Sequence, residues 1–215
     1  MRALAASILL LTAGTAYAGD NEITYGGWGR ALRAPSADAT TGDSLGGGEL
    51  MYARALDLPI ADHLRVWAEA GMIFGGATGE MFQTMDTSIS TVAFIAGAHV
   101  RYSLARDYIA VGAHLDAGAA QASLKLTDGD TTLSDSGWGS LVTAAVDVDL
   151  YAYRGRRFSI GVRASVSYTK TQSIGLTMHR DGADDGTIKL PVMDTSFGHL
   201  DLSGPSAGGA LIGEF

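Results

Sequence analysis

The stretch WGSLVTAAVDVDLYAYRGRRFSIGVRASVSYTKT, residues 138–171, decides the fold. In its second half Phe158, Ile160, Val162, Ala164, Val166 and Tyr168 fall on one parity. Arg157, Ser159, Gly161, Arg163, Ser165, Ser167 and Thr169 fall on the other. A strict period of two places these sets on opposite faces of one β-strand. The first half alternates likewise, Val142, Ala144, Val146, Val148 and Leu150 against Thr143, Asp147, Asp149 and Tyr151. Arg154-Gly155-Arg156 reads as the turn between them, which would set Asp147 directly across from Arg163. One face of this hairpin is uniformly apolar and the other carries full charges in mid-strand. A soluble sandwich and a sheet facing lipid both fit that pattern.

Outward from this hairpin the same alternation recurs. A first candidate strand lies within residues 23–33, where glycine on both parities hides its facing, and a second within 49–58. Residues 64–75 set Leu64, Val66, Ala68, Ala70, Met72 and Phe74 against Arg65, Trp67, Glu69 and Gly71. Residues 89–104 set Val92, Phe94, Ala96, Ala98, Val100, Tyr102 and Leu104 against Thr91, Ile95, His99, Arg101 and Ser103. Residues 108–126 set Ile109, Val111, Ala113, Leu115 and Ala117 against His114 and Asp116, and a last strand is read at 197–215. Short turns at 59–63, 105–107 and 154–156 alternate with longer connections at 34–48, 76–88, 127–137 and 172–196. Within the last, Ile174, Leu176 and Met178 followed by Ile188, Leu190 and Val192 predict a ribbon with its tip at 181–186.

Alternating short and long connections, with apolar stripes of nine to eleven residues, match strands that cross a bilayer. Closing the sheet leaves no unpaired edge in a medium without hydrogen-bond partners. The expected fold is therefore all-β, an eight-stranded antiparallel up-and-down transmembrane barrel with both termini on the periplasmic side. Phe74, Tyr102, Trp138, Phe158 and Tyr168 sit at stripe ends, the level that amphipathic rings favour.

Composition narrows the classes further. Without cysteine the chain has no disulfide framework and no thiol nucleophile. A net charge of −8 argues against nucleic acid as a partner. Twenty-nine glycines with only four prolines suit strands and tight turns. Residues 1–18 read as a signal peptide: Arg2, an apolar run over residues 3–11, and Ala16-Tyr17-Ala18 before the cut. Residues 19–215 form one barrel domain, and no stretch is long and apolar enough to cross a membrane as a helix.

The chain ends in Leu211-Ile212-Gly213-Glu214-Phe215. A terminal phenylalanine on an alternating strand resembles the carboxy-terminal signal of bacterial outer-membrane barrels. It departs from that pattern at Gly213, where an aromatic is commoner. Gly204-Pro205 interrupts the strand, and a bulge is needed to keep Leu200, Leu202, Leu211 and Phe215 on one face. In layout the mature chain resembles the small eight-stranded outer-membrane barrels of the OmpX, OmpW and opacity-protein kind. That resemblance implies a Gram-negative outer-membrane location and the barrel-assembly machinery, outer-membrane lipid and lipopolysaccharide as partners. It also implies a structural or surface-interaction role, with the surface ligand unspecified. The OmpW likeness implies an alternative, a narrow channel or carrier for small molecules.

The inward parity gathers Arg65, Glu69, His99, Arg101, His114, Asp116, Asp147, Asp149, Arg163 and Glu214. Such charges could line a pore, but an eight-stranded interior is only wide enough for side chains to fill it. With both signs present, a salt-bridged plug is the expectation. His99 and His114 lack the local spacing of a metal site, and no cofactor is expected. Asp181–Gly186 resembles a calcium loop but lacks the acid at its third position, and Val192 stands at the twelfth. His199 and Ser203 supply hydrolase residue types, yet four residues along a strand span roughly 13 Å. No catalytic residue is assigned, and an enzyme of the lipid-A-modifying kind is set aside. The remaining alternative is a soluble periplasmic barrel with its apolar face inside.

Overall fold

The structure, a computed structural model, describes residues 20–32, 44–61, 63–81, 85–104, 108–128, 131–180 and 193–215. The leader at 1–18, the short turn at 105–107 and the ribbon tip at 181–186 lie outside them. The strands in chain order are β1 (Asn21–Ala31), β2 (Ser44–Ala61), β3 (Leu64–Met81), β4 (Met85–Leu104) and β5 (Ile109–Asp128). They continue as β6 (Thr131–Arg154), β7 (Ser159–Thr171), β8 (Ile174–Arg180), β9 (Met193–Leu200) and β10 (Gly204–Glu214). Eight of them close into an antiparallel barrel in ring order β1-β10-β7-β6-β5-β4-β3-β2, while β8 and β9 pair as a separate ribbon. Pairs from Glu22↔Glu214 to Arg30↔Ser206 close the ring.

The period of two sets the facing. Val92, Phe94, Val111, Val146, Ile160, Val162 and Val166 all point outward and are exposed, Val146 at 55% and Val166 at 56%. Asp147 and Arg163, on the other parity, are 4% and 6% exposed inside the ring. A soluble barrel would bury the valines and expose the charges. Here the apolar face is the outer one, as lipid requires.

The structure departs from the sequence reading in several places. Residues 76–81, 85–88, 127–128 and 131–137 lie in strands rather than loops, because β3 and β4 stay paired to Met81↔Met85 and β5 and β6 to Asp128↔Thr131. A ladder satisfies its own backbone groups, so glycine and polar residues extend a strand wherever a partner is at hand. The turn expected at 59–63 is shorter, since β2 runs to Ala61 through a register shift after Leu56. The final strand is divided: β9 ends at Leu200 and β10 begins at Gly204. Leu200 and Leu202 are therefore buried rather than lipid-facing, and no bulge is needed to reach the outward Leu211. At the break, Ser203 N–H donates to Asp201 Oδ1 at 2.9 Å, and Ser203 Oγ accepts from Thr171 N–H at 2.9 Å. The ribbon's returning arm is β9, whereas residues 188–192 lie outside the described part.

In the central hairpin, Asp149 rather than Asp147 stands across from Arg163, and Asp147 faces Ser165. A bulge between Tyr151 and Tyr153 adds a residue to one strand, and Gly155 N–H closes the turn onto Phe158 O at 2.9 Å. The bulge turns Tyr153 outward while Tyr151 stays inside.

Near the level of Phe74, Trp138 and Tyr168 the strands invert their chemistry. Below it β5 turns Val111 and Leu115 outward; above it Ala122, Leu124 and Leu126 point inward and are buried. These pack with Leu32, Leu45, Ile89, Ile174, Leu176, Leu200 and Leu202 into an apolar core that fills the barrel mouth. The ribbon reaches this core because the inner face of β6 is bare. A Cβ at Gly137 would sit 2.5 Å from Ile174 Cγ2, so β8 packs there only against glycine.

Candidate functional site

The interior holds two polar layers beneath that apolar core. Nearest the short turns, Arg101 of β4 and Arg163 of β7 are almost wholly buried. Arg101 pairs with Glu22, with Asp149 Oδ2 at 3.0 Å and with Glu214 Oε1 at 2.6 Å, and donates to Tyr151 Oη at 2.7 Å. Arg163 grips Asp149 with two bonds of 2.7 and 2.9 Å and reaches Glu22 Oε1 at 3.0 Å. Its guanidinium lies 3.7 Å from Asp147, the partner expected from sequence. Arg154 adds a third cation, 3.3 Å from Glu214 Oε2 and 3.8 Å above the Tyr151 ring. Three arginines thus meet Glu22, Asp149 and Glu214, which offsets much of the desolvation of both signs.

The second layer lies toward the middle. His99 of β4 and His114 of β5 face each other across the ladder, their rings stacked at 3.8 Å with planes 13° apart. His114 Nδ1 lies 2.7 Å from Glu69 Oε1 of β3, and its Nε2 lies 2.6 Å from Asp147 Oδ2 of β6. His99 Nε2 is 3.4 Å from the same Asp147 oxygen. Gly112 makes room for this arrangement: its Cβ would stand 2.7 Å from Asp147 Oδ1 and collide with His99. Asp116 stands beside Glu69 with Oδ1 unpartnered, and His99 Nδ1, fully buried, is unpartnered too.

Above this layer lies a cavity of about 80 Å³, lined on one side by Glu49, Glu69, His114 and Asp116 and elsewhere by Arg30, Ser165, Ser167 and Thr169. Arg30 donates to Ser206 Oγ at 3.0 Å, Leu202 O at 3.3 Å and Thr169 Oγ1 at 2.8 Å.

Of the ten residues singled out on the inward parity, nine enter these two layers. Arg65 does not; it is exposed at the rim, opposite Arg101 in the ladder. Glu22, Arg30, Glu49, Arg154 and Tyr151 complete the interior without having been singled out. The first three sit on β1 and β2, where flanking glycines blur the alternation. Phe215, the expected assembly signal, is 43% exposed, and its N–H donates to Asn21 O at 2.9 Å. Ser203 Oγ bonds to Asp201 within the strand break at 201–203, next to His199 at the end of β9.

These features define a class: a closed eight-stranded antiparallel barrel, apolar outside and ion-paired within. No family model and no curated protein matches the sequence. Solved structures do. The outer membrane protein OprG from Pseudomonas aeruginosa is similar at 13% identity and a TM-score of 0.56, over 93% of this chain and 98% of that one. The outer membrane protease OmpT from Escherichia coli is similar at 8% identity and a TM-score of 0.50, over 95% of this chain and all of that one. Neisserial surface protein A matches at 10% identity and a TM-score of 0.48, over 93% and 99%. At such identities the likeness is one of fold.

Proposed function

We propose that residues 19–215 form an integral protein of a Gram-negative outer membrane, a non-enzymatic barrel with a structural or surface-interaction role. In this reading both termini face the periplasm, Phe215 is read by the barrel-assembly machinery, and the long-loop end meets lipopolysaccharide and external ligands. The observation that carries it is the closed ring whose outer face is apolar while its interior is filled at both levels. The arginine–carboxylate layer blocks one end and the apolar core with its ribbon blocks the other. A filled interior leaves only the rim and loops to interact with anything large.

Cell fractionation tests the location, with the folded protein expected in outer membranes and released only by detergent. Planar bilayers test the blocked interior, with no reproducible single-channel step expected. Such a step in the unmodified protein would replace this reading with a narrow channel, for which the polar cavity above His114 would be the way station.

A further inference from the structure

The two polar layers differ in charge balance. Nearest the turns, Arg101, Arg154 and Arg163 answer Glu22, Asp149 and Glu214 one for one. The layer above places Glu69, Asp116 and Asp147 around two imidazoles, with Glu49 on the same side of the cavity. Arg163 reaches into it at 3.7 Å from Asp147 but is already held by Asp149 and Glu22. Arg30 faces the same cavity from β1, across the ring from β5, and spends its donors on hydroxyls and a carbonyl. Buried carboxylates in excess of their cations require a proton or another cation among them.

We propose that Glu69, His99 and His114 bind one first-row divalent transition-metal ion of the zinc type, with Asp147 or Asp116 supplying a fourth ligand. Their ligating atoms lie within 4.8 Å of one another, on three adjacent strands that the ladder holds in fixed register. Atoms around tetrahedral zinc stand roughly 3.3 Å apart, and each imidazole must aim its ring plane at the ion, so binding requires the stacked rings to turn apart as the cluster contracts. Two imidazoles and a carboxylate favour zinc or its neighbours over calcium or magnesium, which prefer oxygen alone. A second observation points the same way. His99 Nδ1 is fully buried without a partner, and so is Asp116 Oδ1. The cavity alongside has room for a few water molecules, enough to complete a coordination shell. The ion would tie β3, β4 and β5 together and balance the charge of the layer.

The test uses the full mature chain, without a histidine tag, folded in detergent, stripped with a chelator and titrated with Zn²⁺. Elemental analysis is expected to find about one ion retained per chain, and zinc-edge X-ray absorption about two imidazoles in its shell. Glu69→Gln, His99→Gln and His114→Gln should each weaken binding about tenfold or more, while the exposed His63→Gln and His199→Gln should not. Heat-dependent gel migration shows that each variant is folded. A folded native chain that retains no zinc, or a shell without imidazole, overturns the proposal whatever the variants do. Unchanged affinity in a folded His99→Gln/His114→Gln double variant overturns it as well.

Discussion

The turn-side and loop-side halves of the barrel share strands but run opposite chemistries. On the turn side β5 presents Val111 and Leu115 outward and keeps His114 and Asp116 within. Nine residues beyond Leu115, Leu124 is 1% exposed inside, while Lys125 is exposed outside. No bulge separates the two, since the β4–β5 and β5–β6 ladders run without register shift. The backbone is one continuous sheet, and only the surrounding solvent changes. Where lipid lies outside, polar groups gather within; where water lies outside, the same barrel builds an ordinary apolar core. The aromatic level of Phe74, Trp138 and Tyr168 marks the crossing.

The largest effect should come from the turn-side interior. Arg163→Ala leaves Asp149 and Glu22 to share Arg101 in the buried layer, one cation short, and should destabilise the barrel by about 3–5 kcal/mol. The Arg163→Ala/Asp149→Ala double variant should lose less than the sum of the two single variants. Urea midpoints in detergent measure both; simple additivity would mean that the pair is uncoupled and the layer is not the keystone of this half.

A charge on the outer face should separate the halves next. Val146→Arg on the turn side should cost about 2–4 kcal/mol if it meets lipid near the midplane. Ser123→Arg, outward on the loop side, should stay within about 0.5 kcal/mol. Equal penalties for the two, read from the same unfolding curves, would erase the proposed boundary.

Truncation sharpens the comparison inside one strand. Leu124→Ala opens a cavity in the mouth core and should cost about 2–4 kcal/mol. Leu115→Ala, on a side chain 61% exposed to the surroundings, should cost less than half of that. At the ribbon, Gly137→Val drives a side chain into Ile174 and should cost about 1–3 kcal/mol. Faster proteolysis of the 172–203 segment in that variant would report its release from the mouth.

The smallest effect lies at the strand break. Burial raises the Asp201 carboxyl, but the Ser203 hydroxyl and N–H, with the Lys170 ammonium, outweigh it and hold the group below the usual carboxylate range. A folded pKa below the unfolded one gives stability that is complete above the unfolded value and is lost as pH falls through the folded one. Asp201→Asn should therefore cost less than about 1 kcal/mol at neutral pH, a difference that vanishes as pH falls through the folded pKa. A change at neutral pH larger than that would show the break to be a structural hub.

Much of this barrel was legible in the alternation of its strands. The turn-side facings of β3 to β7 follow from parity, because a pleated strand must put every second side chain on one face. β1 and β2 were not legible, since Gly26, Gly27, Gly29, Gly46, Gly47 and Gly48 carry no face information. The mouth core was overlooked for a different reason. Ile89, Leu124 and Leu126 alternate as cleanly as Val111 and Leu115 but on the opposite parity. A reading that holds one face apolar throughout keeps these residues in their strands without gathering them into a core, and takes the continuations at 76–88 and 127–137 for loops.

By itself, then, the order of residues determined the approximate places of the barrel strands, the turn-side facings of β3 to β7 and the all-β class, because these depend on neighbours two residues apart. Registers across the hairpins, the fold-back of β8 onto Gly137 and the meeting of residues from different strands were decided only in the closed ring. The turn centres between Arg156 and Arg157 rather than on Gly155, which alone would set Arg163 across from Leu150, and the bulge beyond Tyr151 shifts it by one to Asp149, a register invisible to parity. Glu69, His99, His114 and Asp147 come from four consecutive strands of the ring and share no local spacing. Only ring closure turns their side chains toward one axis, where exclusion of water makes each charge depend on the others.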